Sequence, residues 1–332
     1  MQVYLGIDVG SVSTNVVVLK DSGELVEKLY LRTNGQPIKT VQKGLSMVRE
    51  RLGSSCQISG VGTTGSARRL AGVIVGADTV KNEITAHAAA ALREVPGART
   101  IIEIGGQDSK IIVLREGTVA DFAMNTVCAA GTGSFLDQQA SRLDLSIEQF
   151  SRMALEAKTP VRIAGRCSVF AESDMIHKQQ MGHNLEDIIA GLCQALVRNY
   201  LNNVGKGKDI HSPVVFQGGV AANDGMRRAF QEALGSEIIV PKHFNVMGAI
   251  GAALFAMQEV DKGEKESSFR GFETAGLDFS VRSFECSACA NMCEVVELVG
   301  GQLPMARWGD RCGKWSEVGL EEERDMVRTK TG

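Results

Sequence analysis

Glu103-Ile104-Gly105-Gly106-Gln107-Asp108-Ser109-Lys110 decides the reading of this chain. The apolar run Thr100 to Ile104 predicts a strand, Gly105-Gly106 a tight turn, and Ser109 to Leu114 the returning strand of a hairpin. The same design opens the chain. Val3 to Asp8 predicts a strand, Gly6-Ile7-Asp8-Val9-Gly10-Ser11 carries the turn, and Asn15 to Lys20 returns. In both copies a carboxylate, Asp8 or Asp108, stands beside glycines. Strand, glycine turn and strand recurring among helices predicts two related α/β lobes.

Working outward, Asp21 to Glu24 predicts a turn into a third strand, Leu25 to Leu31. Pro37 to Leu52 has helical spacing, Gln57 to Val61 is strand-like, and Asn82 to Glu94 is an alanine-rich helix. A third glycine turn, Gln217-Gly218-Gly219-Val220, follows the apolar strand Pro213 to Phe216 and precedes a helix from Asn223 to Leu234. Phe244 to Met257 reads as a buried helix of small residues. After Gln258 the composition turns charged. The expected division is a first lobe at 1–90, a second at 91–258, a linker at 259–283, a cysteine-rich module at 284–318 and a charged tail at 319–332.

A chain of 332 residues with 44% hydrophobic content supports a sizeable folded core. A net charge of −3 and 5% aromatic residues give no basic surplus or stacking platform for nucleic acid. No apolar run approaches the roughly 18 residues that cross a bilayer, and Met1 to Gly6 lacks a basic, apolar leader, so a cytoplasmic address and no membrane partner are expected. In a reducing compartment the eight cysteines point to metal binding or reactivity rather than disulfides. Cys56 and Cys193, in apolar settings, read as buried small side chains.

The three turns carry the chemistry. Backbone N–H groups and hydroxyls around Gly10, Ser11, Ser13 and Thr14 suit phosphate oxygens, and Asp8 can order Mg²⁺. Gly105, Gly106, Gln107, Asp108 and Lys110 repeat the design. Gly218, Gly219 and Asn223 let backbone approach a flat purine. A Walker A motif and the dinucleotide fingerprint are both lacking in the sequence. Cys128, before Gly131-Thr132-Gly133, and Cys167, after Gly165-Arg166, each precede a predicted helix, where N–H groups stabilise thiolate.

In order and spacing these turns resemble the acetate-kinase/sugar-kinase/heat-shock-70/actin superfamily over residues 1 to about 257. More closely, Asn82-Glu83-Ile84-Thr85-Ala86-His87, the Glu103–Lys110 stretch and Asn125-Thr126-Val127-Cys128-Ala129-Ala130-Gly131-Thr132-Gly133 are similar to the ATP-dependent activators of 2-hydroxyacyl-CoA dehydratases. Benzoyl-CoA reductase ATPase subunits and double-cubane-protein reductases share the pattern. The resemblance implies a two-lobed actin-like ATPase fold that binds ATP/ADP and Mg²⁺. It implies a homodimer in which Cys128 and Cys167 of both copies hold one bridging [4Fe–4S] cluster, anaerobic operation, and a donor such as ferredoxin or flavodoxin. The acceptor is an iron–sulfur enzyme: a 2-hydroxyacyl-CoA dehydratase, a benzoyl-CoA-type reductase or a double-cubane cluster protein. The implied roles are Asp8 and Asp108 for magnesium, Ser11, Ser13 and Lys110 for phosphates, and Gln107 or Glu83 for the attacking water. His87, in the alanine-rich helix, reads as a packed, hydrogen-bonded residue.

Cys286, Cys289, Cys293 and Cys312 form a second set, suited equally to zinc or a second [4Fe–4S] cluster, in a span too short to build its own large core. The competing reading is a small-molecule kinase of the same superfamily, which has no use for cysteines at helix ends.

Overall fold

The computed structural model describes residues 1–53, 56–125, 128–262, 266–301 and 303–315. The expected charged tail at 319–332, the end of the cysteine-rich module and residues 263–265 of the expected linker lie outside the described residues.

Two five-stranded sheets share one topology. The first contains β1 (Gln2–Val9), β2 (Ser13–Lys20), β3 (Leu25–Arg32), β4 (Gln57–Thr64) and β5 (Thr79–Val80), in the order β3-β2-β1-β4-β5. The second contains β6 (Thr100–Ile104), β7 (Ser109–Arg115), β8 (Thr118–Asn125), β9 (Val214–Gln217) and β10 (Ile238–Ile239), in the order β10-β9-β6-β7-β8. In each, the first three strands are antiparallel and the fourth pairs parallel to the first. The two-lobed actin-like fold with internal duplication is therefore present strand for strand.

Local chemistry explains the connecting helices. α1 (Pro37–Leu52) starts on a proline that fixes φ without losing a needed donor. α2 (Arg68–Val75) ends on left-handed Gly76, and α3 (Glu83–Glu94) is capped by Asn82, whose side chain accepts from the Thr85 N–H. α4 (Gly133–Arg142), α5 (Ile147–Glu156), α6 (Ser168–Gln180), α7 (Leu185–Asn203) and α8 (Asp224–Leu234) belong to the second lobe. α7 is its spine: Ile188, Leu192, Leu196 and Tyr200 are buried among Phe150, Phe216 and Phe230.

α9 (Met247–Lys262) corrects the division expected at 258. It packs on β1, β4 and α3, so the chain returns to the first lobe. Small residues make this possible. A Cβ at Gly6 would fall 1.9 Å from the Ala249 carbonyl oxygen, and one at Gly62 would fall 2.0 Å from that of Ala252.

The expected linker is also packed. Asp78 accepts from Ser267 Oγ and the Ser268 N–H, and Gln42 donates to the carbonyls of Thr274 and Leu277. An antiparallel sheet follows, β11 (Phe279–Glu285), β12 (Glu294–Gly300) and β13 (Leu303–Trp308), whose Leu298 joins the apolar core of the first lobe.

Candidate functional site

A cleft between the two sheets holds two chambers, of about 80 and about 190 Å³, that share Val12, Tyr30, Gly105, Gly106 and Gly219 as walls. The β6–β7 hairpin sets Glu103 opposite Lys110. Asn82 starts α3 so that Glu83, on its first turn, reaches the same point. Lys110 Nζ lies 2.8 Å from Glu83, 2.9 Å from Glu103 and 3.0 Å from Asp108. The Tyr200 hydroxyl, from α7, donates to the Lys110 carbonyl at 2.7 Å.

One turn beyond Glu83, buried His87 meets Gln217, with Nδ1 and Nε2 2.9 Å apart. We assign the amide as donor, which leaves the imidazole proton on His87 Nε2. Gly248 of α9 closes the chamber from the other side. A Cβ there would sit 2.2 Å from Asp8 Oδ2 and 3.2 Å from His87 Nε2.

Electrostatics follow from burying many charges together. Asp8 keeps some accessibility into the cleft, yet burial, reinforced by Glu83, raises its carboxyl to about 7. Burial raises Glu103 to about 7 despite Lys110. Burial pulls against ionised Glu83 too, but the Lys110 charge and hydrogen bond win and hold it low. Burial likewise opposes the Lys110 ammonium, and Glu103, Glu83 and Asp108 overcome that and hold its pKa above the ordinary lysine value. Burial and Lys110 lower His87 to about 3, so it is neutral at physiological pH.

Four carboxylates against one ammonium leave the chamber floor short of positive charge. Among the described residues no three His, Cys, Asp or Glu side chains form a ready metal cage. Asp8 and Asp108 both line the chamber, and Mg²⁺ binds through one or two carboxylates while phosphates and water supply the rest. The outer chamber has apolar walls, Val12, Leu136, Ile147 and Val220, with Arg32, Asp137, Glu148 and Ser151 among the polar groups around them. Asn223 caps α8 through Oδ1, 3.0 Å from the Met226 N–H, and its buried Nδ2 has no partner among the described residues. An unpaired buried donor beside apolar walls is a group that a bound ligand can satisfy.

Of the residues singled out by sequence, Asp8, Gly10, Ser11, Ser13, Glu83, Gly105, Gly106, Gln107, Asp108, Lys110, Gly218 and Gly219 line the inner chamber, and Asn223 lines the outer. Thr14 does not. It is buried and faces Thr33, with their hydroxyls 3.0 Å apart. Lys110, expected at the phosphates, is surrounded by three carboxylates. Glu83, expected with Gln107 to handle the water, lines the same chamber and pairs with that ammonium. Sequence reading passed over Glu103, whose place opposite Lys110 was implicit in the hairpin register. It also passed over Tyr30, Arg32, Asp137 and Glu148, ordinary residue types on separate elements that leave no local signal, and it read Gly248 only as part of a small-residue helix.

The cysteine loops of the second lobe lie on one network. Cys128 precedes a 3-10 turn, with Asn125 Oδ1 accepting from its N–H at 2.9 Å and Asn125 Nδ2 donating to its carbonyl at 2.8 Å. Cys167 is the N-cap of α6. Asn199 lies close to both loops: its Nδ2 donates to the Arg166 carbonyl at 3.3 Å, and a Cβ on Gly131 would lie 2.9 Å from its Oδ1. Both thiols are half-buried at helix starts, which suits an anionic iron–sulfur core, but two thiols supply half of a [4Fe–4S] ligand set. Val169 and Phe170, just after Cys167, are 66% and 65% exposed, and Phe122 on the edge strand β8 is 50% exposed.

Among the described residues, no three of the third sheet's cysteines stand as a ready metal-holding group. Cys286 is buried beneath Trp315, whose Nε1–H donates to its sulfur at 3.2 Å, and this bond holds the thiol below its ordinary pKa. Cys293 is half-buried, with its carbonyl 2.8 Å from the Cys286 nitrogen, whereas Cys289 and Cys312 are exposed.

The sequence model of the BadF/BadG/BcrA/BcrD ATPase family matches residues 5–256. The chain is 37% identical over 273 residues to the (R)-2-hydroxyglutaryl-CoA dehydratase activating ATPase of Acidaminococcus fermentans, covering 79% of this chain and 100% of that protein. The crystal structure of component A of that dehydratase superposes with a TM-score of 0.72 at 34% identity, covering 79% of this chain and 100% of the other. The activator of the 2-hydroxyisocaproyl-CoA dehydratase from Clostridium difficile, with bound ADPNP, gives 0.70 at 32% identity, covering 79% and 97%.

Proposed function

Because the chain belongs to the BadF/BadG/BcrA/BcrD ATPase family, we propose that it is an ATP-hydrolysing activator that delivers an electron to a partner iron–sulfur enzyme. In this reading two copies of the chain hold one [4Fe–4S] cluster through Cys128 and Cys167. The acceptor is a 2-hydroxyacyl-CoA dehydratase or a relative of one, namely a benzoyl-CoA-type reductase or a double-cubane cluster protein. The donor is a small carrier of the ferredoxin or flavodoxin kind. The observation that supports this best is the meeting of the two cysteine loops at Asn199, beside uncovered apolar side chains, in a chain that also has the nucleotide cleft. An isologous interface presents the same patch twice, which supplies four thiolates and covers Val169 and Phe170.

The chain's own residues divide the work. Asp8 and Asp108 hold Mg²⁺ in the cleft. The turns after β1 and β6 face the phosphates, with Ser11 and Ser13 adding hydroxyls, and the Gly218-Gly219 turn lets backbone approach the purine. Gln107, on the cleft wall, orients water, while Lys110 fixes Glu83, Glu103 and Asp108 as one ion set. Tyr30, Asn223 and the outer-chamber walls seat the base and sugar. A bridging cluster would supply one-electron chemistry at low potential, tuned by nearby hydrogen bonds. ATP acts through its different affinity for open and closed cleft conformations.

A supporting observation lies within the second lobe. Lys110, in the cleft, is tied by its carbonyl to Tyr200 on α7, and α7 also carries Asn199. One helix thus touches the nucleotide floor and the cysteine loops at adjacent residues. The test is anaerobic reduction of an isolated partner's cluster with the protein, a reductant and ATP. The reading expects reduction that needs ATP hydrolysis and disappears in Cys128→Ala while nucleotide still binds. Equal reduction without nucleotide would overturn it.

A further inference from the structure

One end of the third sheet carries four thiols that the ATPase chemistry does not use. β11 and β12 keep their register one rung past the strands: the Cys286 N–H donates to the Cys293 carbonyl at 2.8 Å, so these two cysteines stand directly opposite one another. Opposed residues share a face and hold their Cβ atoms about 4.5–5.5 Å apart. Two sulfurs on one tetrahedral zinc ion, each about 2.3 Å from it, sit about 3.8 Å apart, which that pairing allows. Cys289 lies three residues beyond Cys286 in the hairpin loop, where its carbonyl accepts from the Met292 N–H at 3.2 Å. The spacing Cys286-x2-Cys289 is that of a zinc knuckle.

The fourth thiol is led to the same end. β13 runs antiparallel to β12 with Trp308 opposite Val296, so the segment after it passes the Cys293 end of the hairpin. Gly309 has φ +109°, and a Cβ there would lie 2.4 Å from the Glu294 carbonyl oxygen, a close approach that needs glycine. Further on, Trp315 rests edge-on against Phe284, with ring centroids 4.9 Å apart. The Asp310 carboxylate accepts from the Trp315 backbone N–H at 2.9 Å and closes this loop. Cys312 is three residues from Gly309 and three from Trp315, so it lies within about 11 Å of either.

Cys286 points to what the thiols do. Its sulfur receives two N–H groups, from the Trp315 indole at 3.2 Å and from the Ala288 backbone. A neutral thiol is a weak acceptor, whereas a metal-bound thiolate is oriented and tuned by such donors. Cys286 is buried in place and Cys293 half-buried, while Cys289 and Cys312 are exposed and have room to turn inward.

We infer that Cys286, Cys289, Cys293 and Cys312 close around one zinc ion at this end of the third sheet, with Trp315 as the outer donor that holds the Cys286 sulfur. Among the described residues no three of these thiols already surround a point, so closure draws the two exposed ones in. Thiols that bind release their protons to solvent, and the binding energy ties the hairpin to the segment after β13. The centre is separate from Cys128 and Cys167 and does not rest on the electron-donor reading.

The test uses the full chain, stripped of metal under reductant, titrated without oxygen with zinc chloride and with cobalt chloride, and followed by metal content and absorption. Expected is one zinc per chain, with cobalt giving the strong bands of tetrahedral thiolate ligation, in the parent and equally in Cys128→Ala. Cys289→Ser and Cys312→Ser, changed at exposed positions, should each weaken zinc about a hundredfold or more. Trp315→Phe keeps the ring but loses the donor and should weaken it about tenfold to a hundredfold, the range for an outer-shell partner. Zinc should slow amide exchange in residues 286–293 and 309–315 of the parent and not of Cys312→Ser. A parent that takes up no zinc, or both serine variants binding it as the parent does, overturns the inference. An iron–sulfur chromophore that survives in Cys128→Ala and disappears on adding Cys289→Ser overturns the choice of zinc. Parental affinity in Trp315→Phe overturns the role given to the indole.

Discussion

Lys110 is the residue on which the cleft's charge balance turns. Removing one member of a buried, paired set leaves the others uncompensated, at a typical cost of about 3–5 kcal/mol. Lys110→Met should therefore lower the denaturation midpoint markedly, and should lower ATP hydrolysis as well because Glu83, Glu103 and Asp108 lose their common anchor. Retention of the parental midpoint in a urea titration would contradict this ion set. His87 gives a pH prediction. Its folded pKa, about 3, is below the ordinary 6.5, so its contribution to stability is fully present above 6.5 and is lost as pH falls from there toward 3. Asp8 and Glu103 act in the opposite sense, their raised values favouring the folded state as pH falls below about 7. The difference between parent and His87→Gln isolates the histidine: the parent should lose more stability over that window in pH-dependent melting. These charges were legible only as a list. The string Glu103 to Lys110 named the residues, but which carboxylate meets the ammonium depends on Glu83 arriving from another element.

At the scale of elements, glycine marks where backbones touch. Gly248→Ala places a methyl 2.2 Å from Asp8 Oδ2, and it should lower nucleotide hydrolysis by an order of magnitude or more while the far-ultraviolet dichroism stays unchanged. Unaltered turnover in that variant would show that α9 does not fix Asp8. Elements with punctuation were readable in advance. α1 has Pro37 at its start and Gly53 after it, and the β6–β7 hairpin has paired glycines at its bend. α9 was readable from its small residues, although its partner sheet was not, because an alanine and glycine stripe says that something lies close without saying what. α7 gave no amphipathic period, being buried on nearly every face, and β8 exposes Val119, Phe122 and Met124 where alternation would place polar residues. Those departures belong to a core spine and to an edge beside Cys128.

The whole molecule is an ATPase body of two duplicated lobes with a third sheet fastened to the first. Asp78 accepts from the Val61 N–H as well as from Ser267 and Ser268, so Asp78→Ala leaves the buried Val61 N–H unpaired and should cost about 1–3 kcal/mol. Hydrogen exchange should then accelerate in residues 267–308 more than in the second lobe. Uniform protection across both would contradict the anchoring. The four thiols of the added region were the most conspicuous signal there and the least decisive. Spacing put Cys286, Cys289 and Cys293 together along the chain, whereas the fold buries one under Trp315 and leaves Cys289 and Cys312 at the surface. No helix among the described residues is long and apolar enough to cross a membrane.

The central claim is that Cys128 and Cys167 from two copies close around one inorganic core. Native mass spectrometry of protein purified without oxygen, beside Cys128→Ala, tests it directly. The account predicts a dimer carrying about four irons in the parent and loss of that iron in the variant, with ADP still bound. A parent chain that stays monomeric and iron-free after reconstitution with iron and sulfide, or a variant that keeps the full complement, would contradict it.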